Sequence, residues 1–203
     1  MLRDNNNIHR LVSRACPGRC RQAVLPIPVR PPDFRVWNRF ALKSAMPRAA
    51  TPDDIPALLA IENRCFSSDR LSRRSFRHLL TRGNAITLVE EDADRIRGYV
   101  LLLFSRGTSM ARLYSIAVHP DFARCKIGDR LLEAAETVAL ERDCVSMRLE
   151  VRRDNPPSLN LFRRHGYRQF KEVLDYYEDH MTALRFEKRL VPQLQLDLVK
   201  VPY

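Results

Sequence analysis

The sequence lacks any apolar segment long enough to cross a membrane. Its longest uninterrupted apolar run is YVLLLF at residues 99–104, whereas a helix needs about 20 such residues to span a bilayer. A secretory signal is missing as well, because two prolines interrupt AVLPIPV at residues 23–29 and leave no apolar stretch of about 7 to 15 residues. The sequence therefore encodes no membrane-spanning helix.

Ligand sets for metals and for hydrolytic triads are also missing. The five cysteines, at positions 16, 20, 65, 125 and 144, include no CxxC pair, and no His/Cys pair follows CPGRC at zinc spacing. We therefore expect no metal site and no disulfide framework, and a reducing cytoplasm as the location. The histidines are scattered and form no Ser/His/Asp or Cys/His group, so a hydrolase has no support.

Basic charge is abundant but unevenly distributed. The net charge is +11, and residues 1–45 hold eight Arg and one Lys against two Asp, which leaves 26 basic and 22 acidic residues in the rest of the chain. No helical or strand periodicity runs through residues 1–45, so we interpret them as an irregular basic leader. Three origins stay open: translation that starts at Met46, a targeting segment, or an arm that binds nucleic acid.

Regular patterns predict one domain over residues 46–191, followed by a tail over residues 192–203. Thr51 is placed to start a first helix and Ser72 to cap a second. AITLVEED and RIRGYVLLLFS read as a hairpin, ARLYSIAV as a strand and RCKIGDRLLEAAETVALERD as a helix. A strand, a short helix and two more strands follow. The order α α β β β α β α β β predicts a mixed α/β fold.

The stretch VHPDFARCKIGDRLL, residues 118–132, runs from a strand through a short loop into a helix. At such a junction, backbone N–H groups and the helix dipole can face an anion. The amides of residues 124–129 are the candidate donors, and Arg124 and Lys126 add positive charge. A single glycine at a helix start, here Gly128, also serves close packing. On these residues alone, phosphate binding and plain packing both stay open.

The element order, with LYSIAVHPDFARCKIGDRLLEAAE followed by LEVRRDNPPSLNLFRRHGY, resembles the GNAT superfamily of acetyl-CoA-dependent N-acetyltransferases. The similarity covers roughly residues 47–190 and is greatest to the branch that acetylates the N-terminal alanine of a ribosomal protein. The resemblance implies a GNAT fold, in which helices flank a mixed, mostly antiparallel sheet that splays at a central parallel strand pair. It also implies direct transfer of an acetyl group from acetyl-CoA to a primary amine, best a protein N-terminus, without a metal.

The resemblance assigns the cofactor contacts to one strand end, one loop and one helix. The family's Q/R-x-x-G-x-G/A loop falls on residues 123–128, where Ala123 replaces Gln or Arg and Lys126 replaces the first glycine. A Cβ at residue 126 limits how closely the backbone approaches a pyrophosphate, and the lysine charge partly offsets this loss. We therefore expect weakened but retained binding of acetyl-CoA. The expected contacts are Ile116, Ala117, Val118, Ala123, Arg124, Cys125, Lys126, Ile127, Gly128, Asp129, Asn155 and Phe162.

Glu150, in LEVRRDN, occupies the position of the general base in the ribosomal-alanine branch. A strand carboxylate at the splay can take the proton of an attacking ammonium. The alternatives are a solvated strand residue or a salt bridge with Arg148 or Arg152. Asn155 matches the asparagine that follows this strand in the family, where it contacts the cofactor arm or simply caps the next helix.

The general acid implied by the resemblance is missing. The family's tyrosine hydroxyl falls on Phe162, in LFRRHGY, and phenylalanine has no proton to give. Tyr176 and Tyr177, in DYYEDH, resemble the family's substrate-side loop and are the expected substitutes. Ordinary aromatic residues at a strand end are the alternative interpretation.

A narrower resemblance concerns the blocks NRCFSSDRLSRRSFR and YYEDHMTALRFEKRL. They look like the acetyltransferase half of bacterial proteins that join a GNAT domain to a C39-like peptidase domain, which begins near the letters VPY that end this chain. Two other functions stay open. One is a degenerate module that binds acyl-CoA without efficient turnover, favoured by Ala123, Lys126 and Phe162. The other is nucleic-acid binding through the leader.

Overall fold

The computed structural model describes residues 46–67, 69–81, 84–93 and 95–190. The predictions for the leader over residues 1–45 and for the tail over residues 192–203 lie outside the described residues. They stay predictions, and so do the domain boundaries at residues 46 and 191.

A single mixed sheet is the frame of the described part of the chain. Its strands follow the order β1-β2-β3-β4-β5-β7-β6, and every neighbouring pair is antiparallel except β4 and β5. Alternation of apolar residues and β-branched content explain why these segments are strands. The strands are β1 (Arg48–Ala49), β2 (Ala85–Asp92), β3 (Arg95–Phe104), β4 (Met110–Val118), β5 (Ser146–Arg152), β6 (Arg168–Val173) and β7 (Ala183–Arg189).

The parallel pair opens shortly after it starts. The register joins Met110 to Ser146, Ala111 to Met147 and Arg112 to Arg148, and no further residues of β4 and β5 are paired. The last six residues of β4 and the last four of β5 therefore line a V-shaped gap. This confirms the predicted splay at a central parallel pair.

Helices cover both faces of the sheet. They are α1 (Ile55–Cys65), α2 (Arg73–Thr81), α3 (Ile127–Glu141) and α4 (Pro156–Arg164). Helices α1 and α2 pack on one face through Leu58 and Phe76, which belong to one core cluster with Tyr99 of β3. Helices α3 and α4 pack on the other face in a second cluster, which includes Leu131 and Phe162. Apolar residues at helical spacing create both contacts.

Local signals placed most helix starts correctly. The Ser72 hydroxyl accepts a hydrogen bond from the Ser75 amide at 3.1 Å, which confirms the cap of α2. The first helix differs from expectation, because Thr51 precedes a single 3-10 turn over Pro52–Asp54 and α1 begins only at Ile55. Strand β1 was not predicted, since two residues are too few to show a periodicity.

Candidate active site

The gap between β4 and β5 exposes one edge of β4. Strand β3 pairs with the other edge over the whole length of β4, so the backbone groups of residues 113–118 that point toward β5 have no ladder partner there. Such an edge can pair with an extended ligand chain as a further strand would. The predicted contacts Ile116, Ala117 and Val118 lie on this edge, at the end of the strand.

A bulge in β4 lies beside the point where the gap opens. Leu101 of β3 pairs with Ser115 and Leu102 with Leu113, so Tyr114 is an extra residue in β4. A bulge increases the local twist and turns a strand away from its neighbour, and bulges are common near active sites. Its position is consistent with β4 leaving β5 directly after Arg112.

The loop between β4 and α3 places two cations at the end of this edge. It contains a 3-10 turn over Pro120–Phe122, and α3 follows with Lys126 as its N-cap residue. Arg124 and Lys126 are exposed, and neither is ion-paired among the described residues of the chain. The first amides of α3 have no intrahelical partner, and the helix dipole makes this end attractive to an anion.

Lys126 has a left-handed backbone, with φ 56° and ψ 19°. Arg124, also in the loop, has φ 66°. Glycine adopts this conformation without steric cost, whereas a residue with a Cβ loses about 1 kcal/mol. The structure thus gives a second reason for the glycine that Lys126 replaces: the position needs a left-handed backbone as well as close access to a phosphate.

A buried carboxylate on strand β2 of the same sheet supports this loop. Glu90 of β2 has no exposed side-chain surface, and it accepts hydrogen bonds from Arg130 of α3 at 3.1 and 2.5 Å and from Arg97 at 2.9 Å. Arg130 also donates to the carbonyl of Cys125 at 3.1 Å. Sequence reasoning missed this support, although Glu90 inside the apolar stretch AITLVEED is the signal that could have revealed it.

The remaining loop residues serve packing as much as binding. Ile127 is buried in the core, and a Cβ added to Gly128 would lie 3.4 Å from Leu161 of α4, so this glycine permits close helix packing. Ala123 ends the 3-10 turn with its amide bonded to Pro120. Cys125 is half-buried and packs against the core cluster of α3 and α4.

The carboxylate of Asp129 points to α4. It accepts hydrogen bonds from Arg164 at 3.0 Å and pairs with His165 at 2.9 Å. Burial alone would raise the pKa of Asp129, but these two partners bring it below its usual value. Its side chain therefore ties the start of α3 to the end of α4, and only its backbone amide is left for the predicted cofactor contact.

Glu150 lies on β5 two residues beyond the last parallel pair, with its side chain 12% exposed. Arg112 of β4 donates two hydrogen bonds to Glu150 Oε2, at 3.1 and 3.0 Å. Arg185 Nε lies 3.4 Å from Oε1 and makes no hydrogen bond. Arg112 thus holds one carboxylate oxygen through two hydrogen bonds, and Arg185 faces the other.

The alternative partners named for Glu150 are wrong. Arg148 pairs with Glu187, and Arg152 pairs with two aspartates of the neighbouring loops, at 3.0 and 2.8 Å. Residues two apart on a strand share a face but are separated along it, whereas a residue on the next strand comes closer. Glu150 therefore meets Arg112 and Arg185, which no local sequence pattern indicates.

Tyr176 joins the Glu150 cluster, and Tyr177 lies behind it. Arg112 Nη2 lies 3.4 Å from the Tyr176 hydroxyl. Burial, together with the charge of Glu150, raises the pKa of Tyr176 to about 12, so its hydroxyl stays protonated near neutrality. Tyr177 is buried against Tyr176 with ring centroids 5.2 Å apart, and burial likewise raises its pKa. The Tyr177 hydroxyl has no hydrogen-bond partner in the described part of the chain.

A family model for the GNAT acetyltransferases matches residues 55–167, more than half of the chain. The chain belongs to the GNAT acetyltransferase family. The matched region contains the splayed strand pair, the loop and helix α4. The Tyr176–Tyr177 loop and Arg185 lie outside it. The family expected from LYSIAV and LEVRRDN is confirmed.

Individual GNAT relatives are distant. The chain is 28% identical over 150 residues to an amino-acid acetyltransferase of Pasteurella multocida, a match that covers 73% of this chain but only 33% of that protein. It is 27% identical over 128 residues to a candidate ribosomal-protein-bS18-alanine N-acetyltransferase of Bacillus subtilis, covering 63% of this chain and 83% of that protein. The chain thus spans about a third of the first of these relatives.

A solved GNAT structure shows the same fold. The ribosomal-protein-S18-alanine N-acetyltransferase of Escherichia coli superposes with a TM-score of 0.65 at 20% identity, covering 77% of this chain and 98% of that one. At this identity the likeness concerns the architecture alone. It confirms the predicted fold class of a mixed sheet that opens at a parallel pair.

Two further positions expected from the GNAT pattern take structural roles. Asn155 caps α4, and its side chain accepts the Ser158 amide at 3.3 Å, as the capping alternative predicted. Phe162 is fully buried and packs edge-on against Tyr167 at 5.5 Å. Phe162 has no exposed surface and supports the site from within the core.

The described residues contain neither a membrane-spanning helix nor a metal-binding cluster. In the described ranges, no helix is both long and apolar enough to cross a bilayer. The same residues contain no group of three or more His, Cys, Asp or Glu side chains arranged to hold a metal ion. The cytoplasmic location stays a prediction.

Proposed function

We propose that this protein is an acetyl-CoA-dependent N-acetyltransferase that modifies a primary amine, with a protein N-terminus as the acceptor class. The observation that carries the proposal is the open gap between β4 and β5, which has Glu150 on one wall and a cationic loop at its end. The GNAT family membership supports the transfer chemistry. The ribosomal-protein relatives support the choice of acceptor.

The residues of the gap fit the parts of acetyl-CoA. The unpaired edge of β4, at Ile116–Val118, would bind the pantetheine arm through backbone hydrogen bonds. The first amides of α3, with Arg124 and Lys126, would hold the pyrophosphate. Bound there, acetyl-CoA supplies a thioester carbonyl that an amine can attack.

The Glu150 cluster supplies the proton transfers that such an attack needs. Glu150 Oε1 accepts a proton from the acceptor ammonium, and the freed amine forms the new C–N bond as the C–S bond breaks. The departing thiolate takes a proton from the Tyr176 hydroxyl or from water, and the second proton that the nitrogen loses on becoming an amide replaces the one given up. A thiol of pKa about 8.5 leaves readily near neutrality as a thiolate. The transfer therefore does not require a tyrosine at position 162. Positioning in the gap supplies the remaining rate increase.

A degenerate acyl-CoA-binding module is the second candidate. Two observations favour it: Lys126 carries the cost of a left-handed backbone at the pyrophosphate loop, and Phe162 is buried and has no hydroxyl. Such a module would still bind acetyl-CoA but would release no thiol in the presence of amines. The two candidates therefore differ in turnover and agree in binding.

Calorimetric titration of the full chain with acetyl-CoA is expected to show saturable heat with one site, together with a thermal shift. Thiol release against a panel of N-terminally free peptides, with mass detection of the acetylated product, then separates the enzyme from the module. No saturable heat at millimolar acetyl-CoA would overturn both candidates. Binding without any acetylated product would leave only the module.

Replacing Lys126 with Gly is expected to raise the free energy of unfolding by about 0.5 to 1 kcal/mol. Glycine adopts the left-handed backbone of this position without the steric cost that a Cβ brings. The affinity for acetyl-CoA should also depend less on salt, since one phosphate-facing charge is gone. Lys126→Ala is the matched control, because it removes the charge but keeps the Cβ. Equal stability of the Gly and Ala variants in urea unfolding would contradict the backbone argument.

A further inference from the structure

Helix α2 and the residues just before it carry four arginines that form no ion pair among the described residues. Arg70, Arg73, Arg74 and Arg77 are exposed, and we call them the α2 arginine surface. Arg70 donates to the Asn63 side chain at 3.1 Å. Within the described residues, none of the four is paired with a carboxylate, whereas arginines such as Arg97, Arg112, Arg152 and Arg185 each lie within 4 Å of one.

An apolar pocket opens beside the α2 arginine surface. It has a volume of about 280 Å³, and its floor consists of Leu71, Leu79, Leu103 and Tyr114, with Arg74 and His78 at the rim. This volume accommodates one large apolar side chain. A pocket of this kind, with an apolar floor and a cationic rim, fits an apolar residue flanked by carboxylates.

The pocket is linked to the Glu150 cluster through one cross-strand pair of β3 and β4. Leu103 of the pocket floor is the registered cross-strand partner of Arg112, and Arg112 donates to Glu150. Tyr114 lies two residues beyond Arg112 on the same face of β4, because Leu113 between them faces the opposite core. Cross-strand spacing and the length of the Arg112 side chain put the pocket roughly 10 Å from the Glu150 carboxylate, about three residues of extended chain.

We propose that the α2 arginine surface and its pocket select the acceptor: an acidic peptide segment with an apolar side chain about three residues after the reacting amine. The inference rests on the proposed function and names the substrate class of the same site. The carboxylates of the acceptor lie on the arginines, and its apolar side chain enters the pocket. Each exposed ion pair strengthens binding only about 1.5- to 5-fold, so selectivity comes from several arginines acting together and weakens with salt.

Fluorescence anisotropy with C-terminally labelled peptides tests the inference without requiring turnover. The probes are Ala-Asp-Asp-Leu-Glu-Asp, its basic counterpart Ala-Lys-Lys-Leu-Lys-Lys, and Ala-Asp-Asp-Gly-Glu-Asp, all offered to the full chain at low salt. We expect the acidic peptide to bind at least about tenfold more tightly than the basic one. Loss of the leucine should weaken binding about tenfold, since its side chain then leaves the pocket empty.

The variant Arg74→Glu/Arg77→Glu should reverse the preference between acidic and basic peptides. The matched control is Arg168→Glu, which changes an exposed arginine of β6 at the far edge of the sheet and should leave the preference unchanged. If the double variant melts early, Arg74→Ala decides the point through a several-fold loss of affinity for the acidic peptide alone.

The outcomes are distinguishable from those of the proposed function. Equal affinity for acidic and basic peptides, or a preference that the double variant does not change, overturns the inference. Binding that ignores the leucine and is displaced by a short DNA strand also overturns it, in favour of a nucleic-acid site. Tight binding of the acidic peptide without thiol release from acetyl-CoA supports the inference and overturns the proposed transfer activity.

Discussion

Replacing Glu150 with Gln is expected to lower kcat about 100- to 1000-fold, because general base catalysis of this kind contributes 10² to 10⁴ in rate. Glutamine keeps the size of the side chain and a carbonyl oxygen that can accept from Arg112, so the gap should keep its shape. Its amide cannot take a proton from the acceptor ammonium. The affinity for acetyl-CoA should change less than twofold, since Glu150 is not among the expected cofactor contacts.

The control for this experiment is Glu187→Gln. Glu187 is also ion-paired with an arginine of the same sheet, Arg148, but it lies away from the open gap, opposite the paired part of β5. Steady-state thiol release measures kcat, and calorimetry measures acetyl-CoA binding for both variants. If Glu187→Gln and Glu150→Gln lower kcat equally, Glu150 contributes through the stability of the sheet and is not the base.

The splayed fold was predictable from the family resemblance. The helix caps were predictable from local chemistry, and the structure confirms them. Ser72 and Asn155 were predictable as caps because a side-chain oxygen at an N-cap bonds within three residues, and both bonds are present. The parallel pair was expected from the GNAT resemblance, in which β4 and β5 flank helix α3. The two caps depend on residues close in sequence, and the parallel pair was indicated by motifs several residues long, so all three could be predicted from the sequence.

The charged contacts of the site could not be predicted from the sequence in this way. Arg112 and Glu150 are 38 residues apart and meet only because the parallel register ends at Arg112 and Arg148. The left-handed backbone of Lys126 could not be predicted either, because lysine rarely adopts this conformation. Such features come from tertiary register and strain, which a single sequence does not display.

The same reasoning separates two tyrosines that the sequence treated alike. Tyr176 and Tyr177 are adjacent, but only Tyr176 contacts Arg112 of the Glu150 cluster. The Tyr177 ring instead lies under Arg152, with the guanidinium carbon 4.8 Å from its centroid. The two rings touch edge to face, but only one hydroxyl reaches the Glu150 cluster, so this pair of tyrosines yields one candidate acid and one residue that packs the loop.

Replacing Glu90 with Gln is expected to lower the free energy of unfolding by about 2 kcal/mol and the affinity for acetyl-CoA about tenfold. Glu90 is fully buried and binds two guanidinium groups, and removing one partner of a buried ion pair costs about 3 to 5 kcal/mol. The expected loss is smaller, because glutamine keeps one acceptor and Arg97 retains Asp92 at 3.0 Å. Arg130 then loses the anchor from which it holds the Cys125 carbonyl of the cofactor loop.

Glu91→Gln is the matched control, because the neighbouring Glu91 binds Arg48 at 2.9 and 2.6 Å but its side chain is 31% exposed and does not contact the loop. Its cost in urea unfolding should stay below about 1 kcal/mol, as for other exposed pairs, and its acetyl-CoA affinity should be unchanged. A Glu90→Gln variant that is destabilised but binds acetyl-CoA normally would show that the loop does not depend on Arg130. If instead both properties fall together, the buried carboxylate on β2 is a positioning residue for a phosphate loop on the other side of the strand β3.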